Sequence, residues 1–195
     1  MQEILTIILP LGAAYALGSI PFGLLLTRLA GAGDIRAIGS GNIGATNVLR
    51  TGNKKLAALT LLLDMLKGTA GVLAAGWLGL EDGALPIAVL AATLGHIFPV
   101  WIRFKGGKGV ATALGGIAAV SPLLAAVLAC TWLLMAALFR ISSLAALVAF
   151  IILPVAAYFL GVFSPLWPVL SLLLCLTHRA NIRRLLKNEE PRLGH

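Results

Sequence analysis

Charge is scarce in this chain. Charged residues make up 11% of its 195 residues and apolar ones 59%. Soluble domains carry about 25% charged residues and under half apolar ones, so a soluble globular protein is excluded. Acidic residues are the rarer sign, with 7 Asp and Glu against 15 Lys and Arg. Outside the apolar runs and their acidic turn, only Asp34, Glu189 and Glu190 remain beyond the extreme N-terminus. That excludes acid/base chemistry by two paired carboxylates, and a Mg²⁺ site built on acidic ligands. The 2 cysteines, Cys130 and Cys175, lie inside apolar runs, where a thiol behaves as a small hydrophobe. No disulfide framework, metal site or cofactor is therefore expected.

What is abundant is apolar sequence, and it comes in runs punctuated by charge. The first covers residues 4–26 and contains Pro10 and Pro21. It is too long for the core of a signal peptide and reads as a retained span. A polar, glycine-rich stretch follows from 28 to 55. Residues 56–80 form a second run with Asp64 and Lys67 in its middle, Glu81 and Asp82 make an acidic turn, and 85–102 form a third run. A basic loop occupies 103–109. Residues 110–139 would make a helix of about 45 Å against a hydrocarbon core of about 30 Å, so a break is expected at Ser121-Pro122. The same reasoning splits 144–177 at 161–165. A basic tail runs from 178 to 195.

The expected fold is all-α: a polytopic integral membrane helix bundle of about seven spans, some short, with residues 1–195 as a single membrane-embedded domain. Five spans and seven both place the termini on opposite sides. Arg140 decides between them. With seven spans every Lys and Arg except Lys67 falls on one side, while Glu81 and Asp82 fall on the other. The positive-inside rule makes the basic side cytoplasmic, the N-terminus periplasmic and the C-terminus cytoplasmic. The net charge of +8 then reads as topology and attraction to anionic lipid, not nucleic-acid binding.

Chemistry must sit in the short loops or between spans. Gly39, Gly41 and Gly44 fit G-x-G-x-x-G, but a dinucleotide fingerprint needs a preceding strand and a soluble βαβ unit. What survives is local: glycines admit an anion close to the backbone, and Ser40, Thr46 and Asn47 add neutral donors before a helix start. Gly106-Gly-Lys-Gly109 departs from a P-loop because Gly109 stands where Ser or Thr is required. Nucleotide hydrolysis is therefore disfavoured, although Lys105 and Lys108 beside flexible backbone suit phosphate oxygens. An intramembrane serine protease reading of Ser40 would need glycine at Ile38. Asp64 and Lys67 share a helix face and can neutralise each other in the bilayer. His96 and His178 each read first as hydrogen-bonded packing groups. His178, Asn181 and Leu185 share one helix face, and Ser142 and Ser143 join that group only with seven spans.

Three blocks occur in order: Ser40-Gly-Asn-Ile-Gly-Ala-Thr-Asn-Val-Leu-Arg50, Gly95-His96 through Phe104-Lys-Gly-Gly-Lys-Gly-Val-Ala-Thr112, and His178-Arg-Ala-Asn-Ile-Arg-Arg-Leu185. Their order and spacing resemble the bacterial acyl-phosphate-dependent glycerol-3-phosphate acyltransferase family, PlsY, over essentially the whole chain. The resemblance implies a multi-pass enzyme of the bacterial inner membrane with its active site facing the cytoplasm. It implies transfer of a fatty acyl group from acyl phosphate to the 1-position of glycerol 3-phosphate, giving lysophosphatidic acid and phosphate. This is the first acylation of phospholipid biosynthesis. Acyl phosphate and glycerol 3-phosphate are the implied substrates, with membrane lipid and the enzyme that makes acyl phosphate as further partners. By position it implies catalytic roles for Ser40, Arg50, Lys108, His178 and Asn181. Substrate contacts are expected at Asn42, Thr46, Asn47, His96, Lys105, Gly106, Gly107, Gly109 and Ser143. One departure shows. The family's third block has glycine two residues before a glutamate, whereas here Asn188 precedes Glu190, and Asn tolerates a left-handed backbone.

An acyl phosphate is already activated, so no strong enzymic nucleophile is needed. The harder task is to hold two phosphate-bearing anions beside an apolar chain. Arg50 and Lys108 are expected to clamp phosphates, Lys105 to support them, and the amides of 106–109 to hold the acyl-phosphate headgroup. Ser40, Asn181 and Ser143 are expected to orient glycerol 3-phosphate. The proton acceptor is either a substrate phosphate oxygen or His178. A transporter of phosphorylated metabolites or lipids, with cation-rich loops and broken helices, is the alternative class. A non-catalytic scaffold for lipid-synthesis enzymes is a third.

Overall fold

Helices account for almost all regular structure in the computed structural model, which describes residues 2–193 and their side chains from Leu5 onward. Contacts divide the chain into two compact units, Met1–Val120 and Ser121–His195, where the sequence reading takes one domain.

The first unit contains α1 (Gln2–Gly18), α2 (Phe22–Leu29), α3 (Ala45–Leu49), α4 (Lys54–Trp77), α5 (Leu85–Ile97) and α6 (Val110–Val120). Single-turn 3₁₀ segments at Ile35–Ala37, Asp82–Ala84 and Val100–Ile102 shape the connections. α4 packs against α1, α5 and α6, and α1 packs against α5. Small residues permit these approaches. A Cβ on Gly18 would strike the backbone of Ala92, one on Gly95 that of Tyr15, one on Gly68 that of Thr112 and one on Gly115 that of Met65. Lipid offers no hydrophobic drive between helices, so association relies on such close packing and on interhelical hydrogen bonds. One of these runs from Thr69 Oγ1 to the Gly115 carbonyl, 2.7 Å.

The second unit contains α7 (Pro122–Phe139), α8 (Ser142–Ile151), α9 (Leu153–Phe159), α10 (Leu166–Thr177) and α11 (Arg179–Leu186). Its core is Trp167 with Leu153, Leu170 and Leu174, all 2% exposed or less. The indole nitrogen donates to the Val162 carbonyl at 2.9 Å, satisfying its polar end. The expected break at Ser121-Pro122 is present. Ser121 caps α7, its Oγ accepting from Leu124 N at 3.3 Å. The break at 161–165 is present too. A further one, between α8 and α9 at Pro154, bends that pair by 42° and was not read from the sequence.

Among the described residues, four stretches are long and apolar enough to cross a membrane: Leu5–Leu29, Lys54–Trp77, Asp82–Ile102 and Pro122–Phe139. The bent α8–α9 pair makes a fifth. α6 and α10 are apolar but shorter. At 1.5 Å per residue each is under about 20 Å long, less than the hydrocarbon thickness.

Candidate active site

In the first unit, residues 30–53 form a loop shaped by one amide. Asn47 is buried, and its Nδ2 donates to the carbonyls of Ile35, Ile38 and Asn42 at 3.0, 3.0 and 2.8 Å. Its Oδ1 accepts from the backbone N–H of Ser40 at 3.1 Å and from Arg50 Nη1 at 3.4 Å. Asn47 therefore draws Ser40 and Arg50 to one place. Gly39, at φ +55°, lies under the Arg50 side chain, where a Cβ would come within 2.9 Å of Nη1. Asn42 Oδ1 accepts from Gly44 N at 3.2 Å, closing the turn into α3. Ser40, Thr46 and Arg50 are exposed. The expected substrate contact at Asn47 is redirected, since its amide is committed to holding the loop.

Beneath this loop lies an apolar cushion of Leu24, Ile35, Ile43, Val48 and Ala57, with Ile102 packed against it. Ile102 leads directly into the second loop, so the entry to that loop rests on the same foundation. Arg103 and Phe104 both adopt left-handed backbone, φ 55° and 59°. Such a pair costs about 1–2 kcal/mol per residue in L-amino acids. It turns the chain so that Lys105 is exposed and Lys108 half-buried. Tyr15 Oη donates to the Phe98 carbonyl at 2.6 Å and Trp101 Nε1 to Ser19 Oγ at 2.7 Å, tying the loop to the end of α1.

The expectation that the amides of Gly106 and Gly107 face a phosphate does not hold. They donate to the carbonyls of Ile97 and His96, at 3.1 and 3.0 Å. These glycines serve close packing instead: a Cβ on Gly107 would collide with the His96 ring and one on Gly106 with the end of α5. His96 is itself buried, 3% exposed, and its Nδ1 lies 3.7 Å from Asp64 Oδ1. Direct substrate contact is therefore not what its placement offers. The anticipated Asp64–Lys67 pair is present, Nζ to Oδ1 2.8 Å. Gly109, at φ +88°, immediately precedes α6.

In the second unit, His178 and Asn181 are buried at the α10–α11 junction. His178 Nδ1 lies 2.7 Å from the Leu174 carbonyl. A carbonyl oxygen only accepts, so the Nδ1 proton is fixed and a neutral ring carries its lone pair on Nε2. Glu190 organises the rest. Its Oε1 accepts from Ser143 Oγ at 2.7 Å and from Asn181 Nδ2 at 2.5 Å, and its Oε2 from Arg184 Nε at 2.6 Å. Burial pushes the Glu190 carboxyl up, but the bonds from Arg184, Ser143 and Asn181 outweigh it and hold it below the usual glutamate range. Asn188 does adopt the left-handed turn, φ 57°, and the tail returns so that Arg140 Nη2 donates to the Leu193 carbonyl at 3.1 Å. Ser143 thus joins Asn181 through Glu190.

Each unit carries its own polar cluster: exposed guanidinium and ammonium groups on loops over an apolar cushion in one, an oriented imidazole and amide in the other. A family model described as glycerol-3-phosphate acyltransferase matches residues 8–188. The chain belongs to that family. Among its relatives named glycerol-3-phosphate acyltransferase, that of Mesorhizobium japonicum is 59% identical over 190 residues, covering 96% of each chain. The Sinorhizobium medicae protein is 58% identical, covering 92% of this chain and 89% of its own. A crystal structure of PlsY, an integral membrane glycerol 3-phosphate acyltransferase in its glycerol 3-phosphate form, superposes with a TM-score of 0.88 at 41% identity, covering 96% of this chain and 95% of the other. Its lysophosphatidic acid form gives 0.86 at 40% identity, with the same coverage. The protein is an acyltransferase and a multi-pass membrane protein, which sets aside the transporter and scaffold readings.

Two functional features escaped the sequence reading. Glu190 stood out in the sequence only as the glutamate that follows the family's third block, and its bonds to Ser143, Asn181 and Arg184 had no signal there. The join between His96 and the Asp64–Lys67 pair had none, because it is made across two helices.

Proposed function

We propose that this acyltransferase uses acyl phosphate as donor and acylates the 1-hydroxyl of glycerol 3-phosphate, forming lysophosphatidic acid and inorganic phosphate. The hydroxyl oxygen attacks the donor carbonyl carbon, the bond from that carbon to the bridging oxygen of the phosphate breaks, and phosphate leaves with the electron pair. The observation that carries this reading is the apolar cushion that Leu49, next to Arg50, and Ile102, which leads into the Lys105–Lys108 loop, both pack against. It holds cations of two sequence-distant loops on one foundation, as two phosphate-bearing anions require. The glycerol 3-phosphate and lysophosphatidic acid forms of the PlsY relative support substrate and product. Arg50 and Lys108 clamp phosphate, Lys105 supports them, Ser40 presents its hydroxyl to the acceptor, and Asn181 and Ser143 orient it. The acyl tail lies among apolar helices.

The hydroxyl proton goes to a donor phosphate oxygen. The tautomer of His178 favours a second reading, in which Nε2 takes it. If His178→Gln keeps near-normal turnover with a flat profile from about pH 5 to 8, the first reading stands; a loss of several orders of magnitude selects the second.

The layout proposed is seven spans in the bacterial inner membrane, with the basic loops cytoplasmic and the enzyme that makes acyl phosphate as partner. Purified protein in detergent is supplied with isotope-labelled glycerol 3-phosphate and palmitoyl phosphate, palmitoyl-CoA or palmitoyl–acyl carrier protein. Label is expected in the organic extract with palmitoyl phosphate alone. Label with a thioester donor and none with palmitoyl phosphate overturns the reading.

A further inference from the structure

Between the two loops of the first unit lies a charged group that belongs to neither. Asp64 and Lys67 sit one turn apart in α4, each with a 2% exposed side chain. A lone charge at the bilayer centre costs about 3 kcal/mol or more, and a matched pair offsets much of that. Neutralisation accounts for the pair itself but not for what each partner reaches beyond it.

Lys67 Nζ also donates to the carbonyl of Ile20, 2.6 Å away, and lies 5.8 Å from the centroid of the Phe22 ring. Ile20 sits in the break between α1 and α2, where its carbonyl also accepts from the backbone N–H of Phe22 at 3.1 Å. From that break α2 leads directly to the first loop. Gly23 lies so close to the Ile43 carbonyl that any Cβ would collide with it. On the other side, Asp64 Oδ1 faces His96 Nδ1 at 3.7 Å, and the far edge of that ring abuts Gly107. The His96 and Ile97 carbonyls accept from Gly107 and Gly106. The far end of the second loop is fixed to the same helix, since α6 packs its Thr112 backbone on Gly68, the residue after Lys67.

Contacts thus run without interruption from Ile43 in the first loop, through α2 and Ile20 to Lys67, then through Asp64 and His96 to Gly107 in the second. The geometry points to Asp64 and Lys67 as positioning residues that set the separation of the two anion-binding loops, acting through Ile20 on one and His96 on the other. They touch no substrate. The assignment of substrates to these loops rests on the function proposed above, but the coupling of the loops does not.

A pair that serves only structure and one that sets position predict different outcomes. Replacing a buried ion pair by apolar residues of similar volume is often neutral for stability, because two desolvation costs vanish together. Asp64→Leu/Lys67→Met should therefore fold, with a thermal midpoint in detergent within a few degrees of wild type, yet lose about tenfold or more in kcat/KM for glycerol 3-phosphate. Its loop separation, read by spin labels at Ala37→Cys and Arg103→Cys with Cys130 and Cys175 replaced by Ala, should broaden. A folded variant with wild-type kinetics or an unchanged distance distribution overturns the proposal.

Should that variant fail to fold, a second pair decides. Gly107→Ala should impair turnover by pressing on the His96 ring, His96→Ala should impair it by removing the link, and Gly107→Ala added to His96→Ala should cost little more. A Gly107→Ala defect that His96→Ala leaves untouched overturns the coupling. Wild-type protein without turnover on any acyl donor would instead sink the proposed function, while the distance measurement would still judge the loops.

Discussion

Asn47 shows how much one side chain can carry. Its two amide hydrogens are shared among three carbonyls and its oxygen accepts twice, so its hydrogen-bonding capacity is filled inside the protein. Asn47→Ala strips partners from the carbonyls of Ile35, Ile38 and Asn42. At about 1–3 kcal/mol per stranded buried group, with partial relief by water, a loss of a few kcal/mol is expected. Thermal unfolding in detergent measures it, and turnover should fall with it because Ser40 and Arg50 lose their common anchor. Arg50 itself is exposed, so Arg50→Lys should leave the melting temperature unchanged. A planar fork becomes a point charge there, and KM for glycerol 3-phosphate should rise or turnover vanish. Wild-type kinetics in that variant would remove Arg50 from the site.

Glu190 adds a pH signature. Its carboxyl is held below the usual glutamate range, so the unfolded chain binds its proton more readily than the folded one. The stabilisation is complete above the unfolded value of about 4.3 and disappears as pH falls through the lower folded value. Melting temperature should show no pH dependence from this group between about pH 6 and 8, where its contribution is constant, then decline in acid more steeply than in Glu190→Gln. Equal slopes for the two proteins would deny the bonds to Ser143, Asn181 and Arg184 their weight.

At the scale of elements, glycine decides how near helices approach. α4 and α6 touch at Gly68 and Gly115, α1 and α5 at Gly18 and Gly95, and each would drive a Cβ into facing backbone that cannot rotate away. Gly115→Ala should separate α6 from α4 and break the bond from Thr69, lowering the melting temperature; overpacking of this kind costs about 1–3 kcal/mol. Gly12, which faces open space in α1, is the control: Gly12→Ala should be neutral or mildly stabilising. Similar shifts in both would show that helix propensity, not close approach, governs these positions. The short helices have a related logic. α3 has only five residues, enough to turn Asn47 inward and return Arg50 over Gly39.

Over the whole molecule, scarce charge placed at the ends of apolar segments sets how the chain lies in lipid. With seven spans, Ser142 is cytoplasmic along with Arg140 and the tail. Ser142→Cys in a chain with Cys130 and Cys175 replaced by Ala should react with an impermeant maleimide in inside-out vesicles and not in intact spheroplasts. Reaction from the periplasmic side would contradict the layout.

Composition and periodicity alone determined that the chain is all-helical and membrane-embedded, because no soluble core can be built from so few charges. Proline rules located the breaks at Ser121-Pro122 and within 161–165, where a missing donor and a restricted preceding residue act locally. Three short blocks identified the family and the Asp64–Lys67 spacing foretold an ion pair, since positions three apart on a helix always face one way. Only the tertiary structure decided what the donors in those blocks touch. The amides of Gly106 and Gly107 turn back to α5, Asn47 serves its own loop, Glu190 gathers Ser143 and Asn181, and His96 meets Asp64. Each of these bonds joins groups from different turns or helices. Their partners are chosen by the geometry of packing, in which a polar group withdrawn from water takes the nearest complementary atom, and spacing along the chain does not encode which atom that is.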